Sequence, residues 1–146
     1  MSSDRLLERP VVPIAGPDDA AETYNALVAH SDPAECRPLV IHVVPETEGH
    51  DSRAFDTQKQ RAQEAFERFE SRADDDGMTV DTEICRGDTI AETIIRVATE
   101  AEASAIVFCS RGGSAWFDLL AGGVRTSLLV KSDTPVVMLP NDMRDR

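Results

Sequence analysis

Two glycine pairs, Gly112-Gly113 and Gly122-Gly123, stand ten residues apart behind a short apolar run, Ala105 to Cys109. Glycine lets the backbone approach a ligand closely, and a helix N-terminus following such a loop offers unpaired N–H groups to an anion. Arg111 adds a guanidinium suited to a charge-assisted contact with phosphate. The chemistry within reach is therefore holding an anion rather than making or breaking bonds. Read for structure alone, the same glycines shape a loop, and their spacing does not by itself separate the two readings.

Other reactive residue types form no constellation. His30, His42 and His50 are isolated, and His42 lies inside the apolar run Pro38 to Val44, where a hydrogen-bonded core histidine is expected. No H-E-x-x-H, G-x-S-x-G or complete Walker P-loop occurs. Asp118 falls near the glycine loop, but no second acid pairs with it. A phospho-accepting receiver domain needs acidic residues at its strand ends, and Ala15 and Val44 hold those positions here. The run Asp74-Asp75-Asp76 reads as a solvated helix end, because three adjacent carboxylates do not share a helix face. Cys36, Cys85 and Cys109 are odd in number with long spacings, which points to reduced, buried thiols. Cys109, at a strand end before a helix, is the one cysteine placed for a low pKa, though its apolar context favours an inert thiol. No metal site and no enzymatic activity are expected.

The elements that must position the glycine loop are legible in the apolar pattern. Pro10 to Ile14 reads as a buried strand ended by Ala15-Gly16-Pro17. A helix follows, with Asp19 as its expected cap and Ala20, Tyr24, Leu27 and Val28 on its apolar face. Pro38 to Val44 reads as a central parallel strand, and Phe55, Ala62, Phe66, Phe69 and Ala73 form one stripe of a long helix ended near Gly77. Met78 to Cys85 alternates like a strand with one exposed face, and Gly87-Asp88 reads as a turn. Thr89 with Glu92 makes a capping box for a helix bearing Ile90, Ile94, Val97, Ala98 and Ala101. Ala105 to Cys109 is a further buried strand. A short turn at Trp116 to Leu120, a last helix ending at Lys131 and a strand from Val136 to Leu139 complete the chain. Strands alternating with helices imply right-handed crossovers and a parallel sheet covered on both faces, in one domain spanning residues 1–146 with its core at about 10–140.

Composition narrows the partners. There are 27 acidic residues against 15 basic ones, for a formal net charge of −12, and only Lys59 and Lys131 are lysines. Such a surface repels nucleic acid and anionic lipid. Acid-rich, lysine-poor chains resemble those of salt-loving prokaryotes, where concentrated salt screens the self-repulsion, and a halophilic archaeon is the expected source. No apolar run approaches the roughly 18 residues that cross a bilayer. Met1 to Arg5 leads into mixed sequence with no signal-peptide core, so a cytoplasmic protein is expected.

The order Gly87-Asp88, Ala105-Ile106-Val107, Ser110-Arg111-Gly112, Gly122 and Thr134-Pro135-Val136-Val137 resembles the C-terminal half of universal stress proteins. Val12-Pro13-Ile14 and Ile41-His42-Val43 match that family in kind and spacing, so the resemblance runs from about Pro10 to Pro140. It implies a Rossmann-like α/β sandwich of the adenine nucleotide alpha hydrolase-like type, five parallel strands in the order 3-2-1-4-5, with a ligand crevice where β-strands one and four diverge. It also implies a homodimer through the last strand, Val136 to Leu139. Nucleotide-binding members carry an Asp at the end of the first strand and the motif G-x2-G-x9-G followed by Ser or Thr. Here Ala15 stands for that Asp, Cys109 for the first glycine and Gly123 for the hydroxyl residue, while Gly112 and Gly122 are kept. The residues that would form the crevice are thus Ala15, Val43, Cys109, Arg111, Gly112, Gly122 and Gly123, with Val43 meeting an adenine through its backbone. Ala15 accepts no hydrogen bond, Gly123 offers no hydroxyl and Cys109 is expected to bring sulfur toward the phosphate path. The expectation is a non-catalytic stress-response or signalling dimer with an unidentified protein partner and no tightly held cofactor. The alternative is a switch that binds ATP or AMP.

Overall fold

The computed structural model describes residues 6–45, 52–109 and 131–140. In chain order these form β1 (Pro10–Pro13), α1 (Pro17–Ala29), β2 (Leu39–Pro45), α2 (Ser52–Asp76), β3 (Asp81–Gly87), α3 (Ile90–Glu100), β4 (Ala105–Cys109) and β5 (Val136–Leu139). The five strands make one sheet ordered β3-β2-β1-β4-β5. Every pairing is parallel, with Val11 opposite Leu39 and Ile106, and Ile106 opposite Val136. The order reverses between β1 and β4, where the chain leaves one half of the sheet and begins the other.

Strand alternation sorts the core into two layers. Val12, Val40, Val107 and Leu139 face α1 and α2, packing with Tyr24, Leu27, Phe66 and Phe69. Val11, Ile41, Ile106 and Phe108 face the other way, against Ala91, Ile94, Val97 and Ala98 of α3. Tyr24 and Phe69 meet edge to face at 5.2 Å between ring centres, and the Tyr24 hydroxyl donates to Asp76, tying α1 to the far end of α2. Where the strands start, the Arg9 guanidinium donates to Asp81 at 2.9 Å and to the Arg37 carbonyl at 3.0 Å. The Arg37 Nε donates to the same Asp81 oxygen at 3.1 Å, so one carboxylate holds the starts of three strands together.

Helix ends follow local chemistry. Thr89 caps α3, its hydroxyl accepting from the Glu92 N–H at 3.2 Å, as the capping box requires. α2 stops at Gly77, whose φ of +81° turns the chain so that Met78 N–H reaches the Ala73 carbonyl at 2.9 Å. α3 closes in the same way, but its left-handed residue is Glu102, with φ of +54°.

Two boundaries differ from expectation. α1 starts at Pro17 with Gly16 as its cap, so Asp19 is its third residue and not the cap. β3 begins at Asp81 and not Met78, because pairing starts only where Asp81 lies opposite Leu39, while Met78 turns into the core. Gly87 is accordingly the last residue of β3. The expected turn at Trp116 to Leu120 and all of the last helix but its end lie outside the described residues. Lys131, where that helix was expected to end, is helical.

Candidate functional site

In an open parallel sheet a ligand sits beyond the carboxyl ends of the strands at the point of reversed order. Here that is the space above β1 and β4, bordered by the ends of β2 and β5. At the end of β1 several backbone groups are already engaged. The Ile14 N–H donates to the Ile41 carbonyl at 2.9 Å. The Ile14 carbonyl accepts from His42 Nδ1 at 3.0 Å. The Ala15 N–H donates to the Asp19 carboxylate at 2.9 Å. Proline at the first position of α1 puts Asp19 one turn inside the helix, from which its side chain reaches back over the turn. Asp19 is only 3 % exposed.

His42 is satisfied within the fold, as expected. Its Nδ1 carries the proton donated to the Ile14 carbonyl, and Nε2 lies 3.3 Å from Gln58 Oε1. The imidazole thereby ties the end of β1 to α2. A second α2 side chain covers the same turn: a Cβ built on Gly16 would lie 2.5 Å from the Arg61 guanidinium.

Ala15 and Val43 are half-buried and pack with the layer facing α3, as does Ile90 at the start of that helix. They present an apolar border to the crevice. Cys109 does not join them. Alternation along β4 sends Phe108 to the α3 side and Cys109 to the α1 side, where the thiol is buried and its Sγ lies 3.9 Å from the Glu22 carbonyl. Its side chain points into the opposite layer of the core from Ala15 and Val43. Beside it, Glu22 Oε1 is buried with no hydrogen-bond partner among the described residues. Arg111, Gly112, Gly122 and Gly123 lie outside the described residues.

All three cysteines are buried and none is in a disulfide. Burial pushes the Cys36 thiol up to about 11, against a smaller lowering by its hydrogen bond with Ser31. Burial and then Glu83 push Cys85 up to about 12. Neither is a thiolate near neutral pH. Among the described residues no group of three or more His, Cys, Asp or Glu side chains is placed to hold a metal ion. An open groove of about 610 Å³ runs along the seam of α1 and α2, but its charged rim, including Glu64, Glu67, Arg68 and Arg72, contains none of the expected site residues.

Asp19, Glu22 and Arg61 were not read as neighbours of the crevice. Only for Asp19 was there a signal, in Gly16-Pro17, since proline at the first helical position fixes where the third must stand.

The fold is a Rossmann-like α/β sandwich whose strand order reverses between β1 and β4. The model of the universal stress protein family matches residues 8–140, and the chain belongs to that family. No curated protein matches it in sequence. Among solved structures it is similar to hypothetical protein MJ0577, with 19% identity, a TM-score of 0.74 and 92% of this chain and 96% of that one covered. A universal stress family protein from Burkholderia pseudomallei shares 23% identity at a TM-score of 0.71, covering 92% and 97% of the two chains. The universal stress protein from Archaeoglobus fulgidus in complex with dAMP shares 21% identity at 0.62, covering 91% and 98%. These likenesses are of fold. Among the described residues no helix is long and apolar enough to cross a membrane.

Proposed function

We propose that this universal stress protein is a non-catalytic stress-response or signalling module that works in the cytoplasm as a homodimer and does not hold ATP tightly. The observation that carries the reading is the end of β1. Ala15 has no side-chain acceptor, and its N–H is already taken by Asp19. Gly123 adds no hydroxyl. Each missing hydrogen bond to a ligand is worth on the order of 1 kcal/mol or somewhat more, so two of them weaken binding roughly thirtyfold to a hundredfold.

The dimer reading rests on β5. It is an edge strand in the sheet order, Met138 is 43 % exposed, and Val136 and Val137 are only partly covered. An apolar edge of this kind pairs readily with another chain. Acid-rich, lysine-poor composition supports a salt-loving source, and concentrated salt strengthens apolar burial at such an interface. Sedimentation in molar potassium chloride tests this: a dimer is expected, and Met138→Glu is expected to yield monomer. A wild-type monomer at about 10 µM overturns the dimer, since a stable pair has a lower dissociation constant.

The second reading is a nucleotide-dependent switch. Val43, half-buried at the end of β2, favours it, and so does the dAMP complex of the Archaeoglobus fulgidus relative. Calorimetric titration with ATP and AMP separates the two. A dissociation constant below about 10 µM for either nucleotide replaces the first reading by the second.

A further inference from the structure

We infer that the outer face of α2 is an interaction surface for a second copy of this chain, which it meets antiparallel across a two-fold axis near Arg68. The contact uses no residue of β5, so it joins single chains, or dimers paired through β5, into larger assemblies.

The inward side of α2 is spent on the core, where Ala62, Ala65, Phe66, Phe69 and Ala73 are buried. Arg61, Glu64, Arg68, Arg72 and Asp75 recur at intervals of three or four and so share one stripe of the helix, with Glu67 beside it. All six are exposed. From Glu64 to Asp75 the stripe is the α2 wall of the open groove of about 610 Å³ along α1. The small side chains in that groove, Ala21 and Ser71, let another helix come close. Arg61 leans across the seam toward Gly16 and is still exposed.

The order of the charges selects the partner. Glu64 and Arg72 stand four residues either side of Arg68, and Arg61 and Asp75 seven either side. From Arg61 to Asp75 the signs run plus, minus, minus, plus, plus, minus, and read backwards every sign is reversed. A two-fold contact brings residue i of one copy to residue j of the other, and j to i. Antiparallel α2 helices centred near Arg68 therefore set Glu64 against Arg72 of the second copy, and Asp75 against its Arg61. At the axis, Glu67 meets Arg68 of the second copy and offsets the approach of the two Arg68 side chains. Each pairing occurs twice. A parallel two-fold arrangement would set every charge against its own kind.

Exposed ion pairs are individually weak, and complementary charge fixes register and partner more than affinity. The expected dissociation constant is on the order of 0.1–1 mM, so the contact adds nothing at about 10 µM, where β5 decides the mass. Sedimentation equilibrium of Met138→Glu up to about 500 µM, at one fixed salt concentration and with circular dichroism as the check on folding, reads the α2 contact alone. The mass is expected to rise above the monomer beyond about 100 µM. Glu64→Arg sets arginine against arginine at both symmetry-related places and is expected to weaken the association roughly tenfold, and Arg72→Glu to weaken it as much. The first makes the chain less negative and the second more negative, so repulsion between net charges would move them in opposite directions. The double variant Glu64→Arg, Arg72→Glu has the parent's net charge and its pairs reversed, and is expected to return to within about twofold of the parent. No association by about 500 µM, single variants without effect or with opposite effects, or a double variant no tighter than the singles overturns the inference. If one of these variants does not fold, Glu67→Arg, Arg68→Glu and their combination are held to the same outcomes. Failure of the β5 contact shows separately, as wild-type monomer at about 10 µM whatever the α2 variants do.

Discussion

Replacing Gly87 by alanine puts a methyl group where the fold has left no room. Its Cβ would lie 2.0 Å from Thr93 Oγ1 and 3.2 Å from Thr93 Cβ, against ordinary contacts near 3.4–4 Å. Thr93 cannot swing aside freely. It is 2 % exposed on the inner face of α3, and its hydroxyl donates to the Thr89 carbonyl at 2.6 Å. Either that bond breaks or the end of β3 moves away from α3. Overpacking of this kind costs about 1–3 kcal/mol, and a lost hydrogen bond adds about 1. Gly87→Ala is therefore expected to lose about 2–3 kcal/mol, seen as a fall of roughly 1 M in the urea midpoint with an unchanged slope, or of roughly 5–10 °C in Tm. Thr93→Ala removes the closest atom and leaves only the 3.2 Å contact. The double variant should then be more stable than the sum of the single changes by at least about 1 kcal/mol. A Gly87→Ala protein within about 0.5 kcal/mol of wild type, or strict additivity in the double variant, refutes this account of how β3 meets α3.

Three further outcomes follow from single residues. Burial raises the Asp81 carboxyl, but the hydrogen bonds from Arg37 and Arg9 outweigh it and hold it below the usual carboxylate range. Its contribution is present above about pH 4 and lost as pH falls through the folded value; Asp81→Asn should flatten that loss by at most about 1 kcal/mol, because the side chain is 38 % exposed. Tyr24 is the only tyrosine, so its ultraviolet titration reports one group. Burial, and then the hydrogen bond and charge of Asp76, push its hydroxyl well above the ordinary range, so no phenolate should form in folded protein at about pH 11. Stability should fall as pH rises above about 10, where only the unfolded tyrosine ionises. Glu102→Gly should stabilise the fold by about 1 kcal/mol in urea titration, since glycine adopts the left-handed conformation without steric strain.

The layered sheet was legible because its strands are short β-branched runs and its helices carry single apolar stripes. Pro38 to Val44 and Ala105 to Cys109 each lie within two residues of an observed strand, and the order β3-β2-β1-β4-β5 is the one the family resemblance implies. What misled was local. The alternation of Met78, Val80 and Ile84 suggested an early strand, yet Met78 is needed to close α2 and fill the core. Asp19 looked like a cap because Asp caps helices, but Pro17 takes the first helical position and the helix starts three residues earlier. The direction of the Cys109 side chain depends on the phase of β4, which its own five apolar residues do not reveal, since both faces of that strand are buried. The closeness of Arg61 to Gly16 joins segments from different elements and had no signature in either.

The central claim is that the groups which would grip an adenosine phosphate at the end of β1 have been replaced while the scaffold remains. Its most direct test is the nucleotide carried by the protein itself. Protein purified and washed in molar potassium chloride is denatured, and the supernatant is assayed for adenine nucleotide per chain. The account predicts well under one-tenth of a nucleotide per chain, the occupancy of a site too weak to survive washing. Close to one ATP per chain would contradict it.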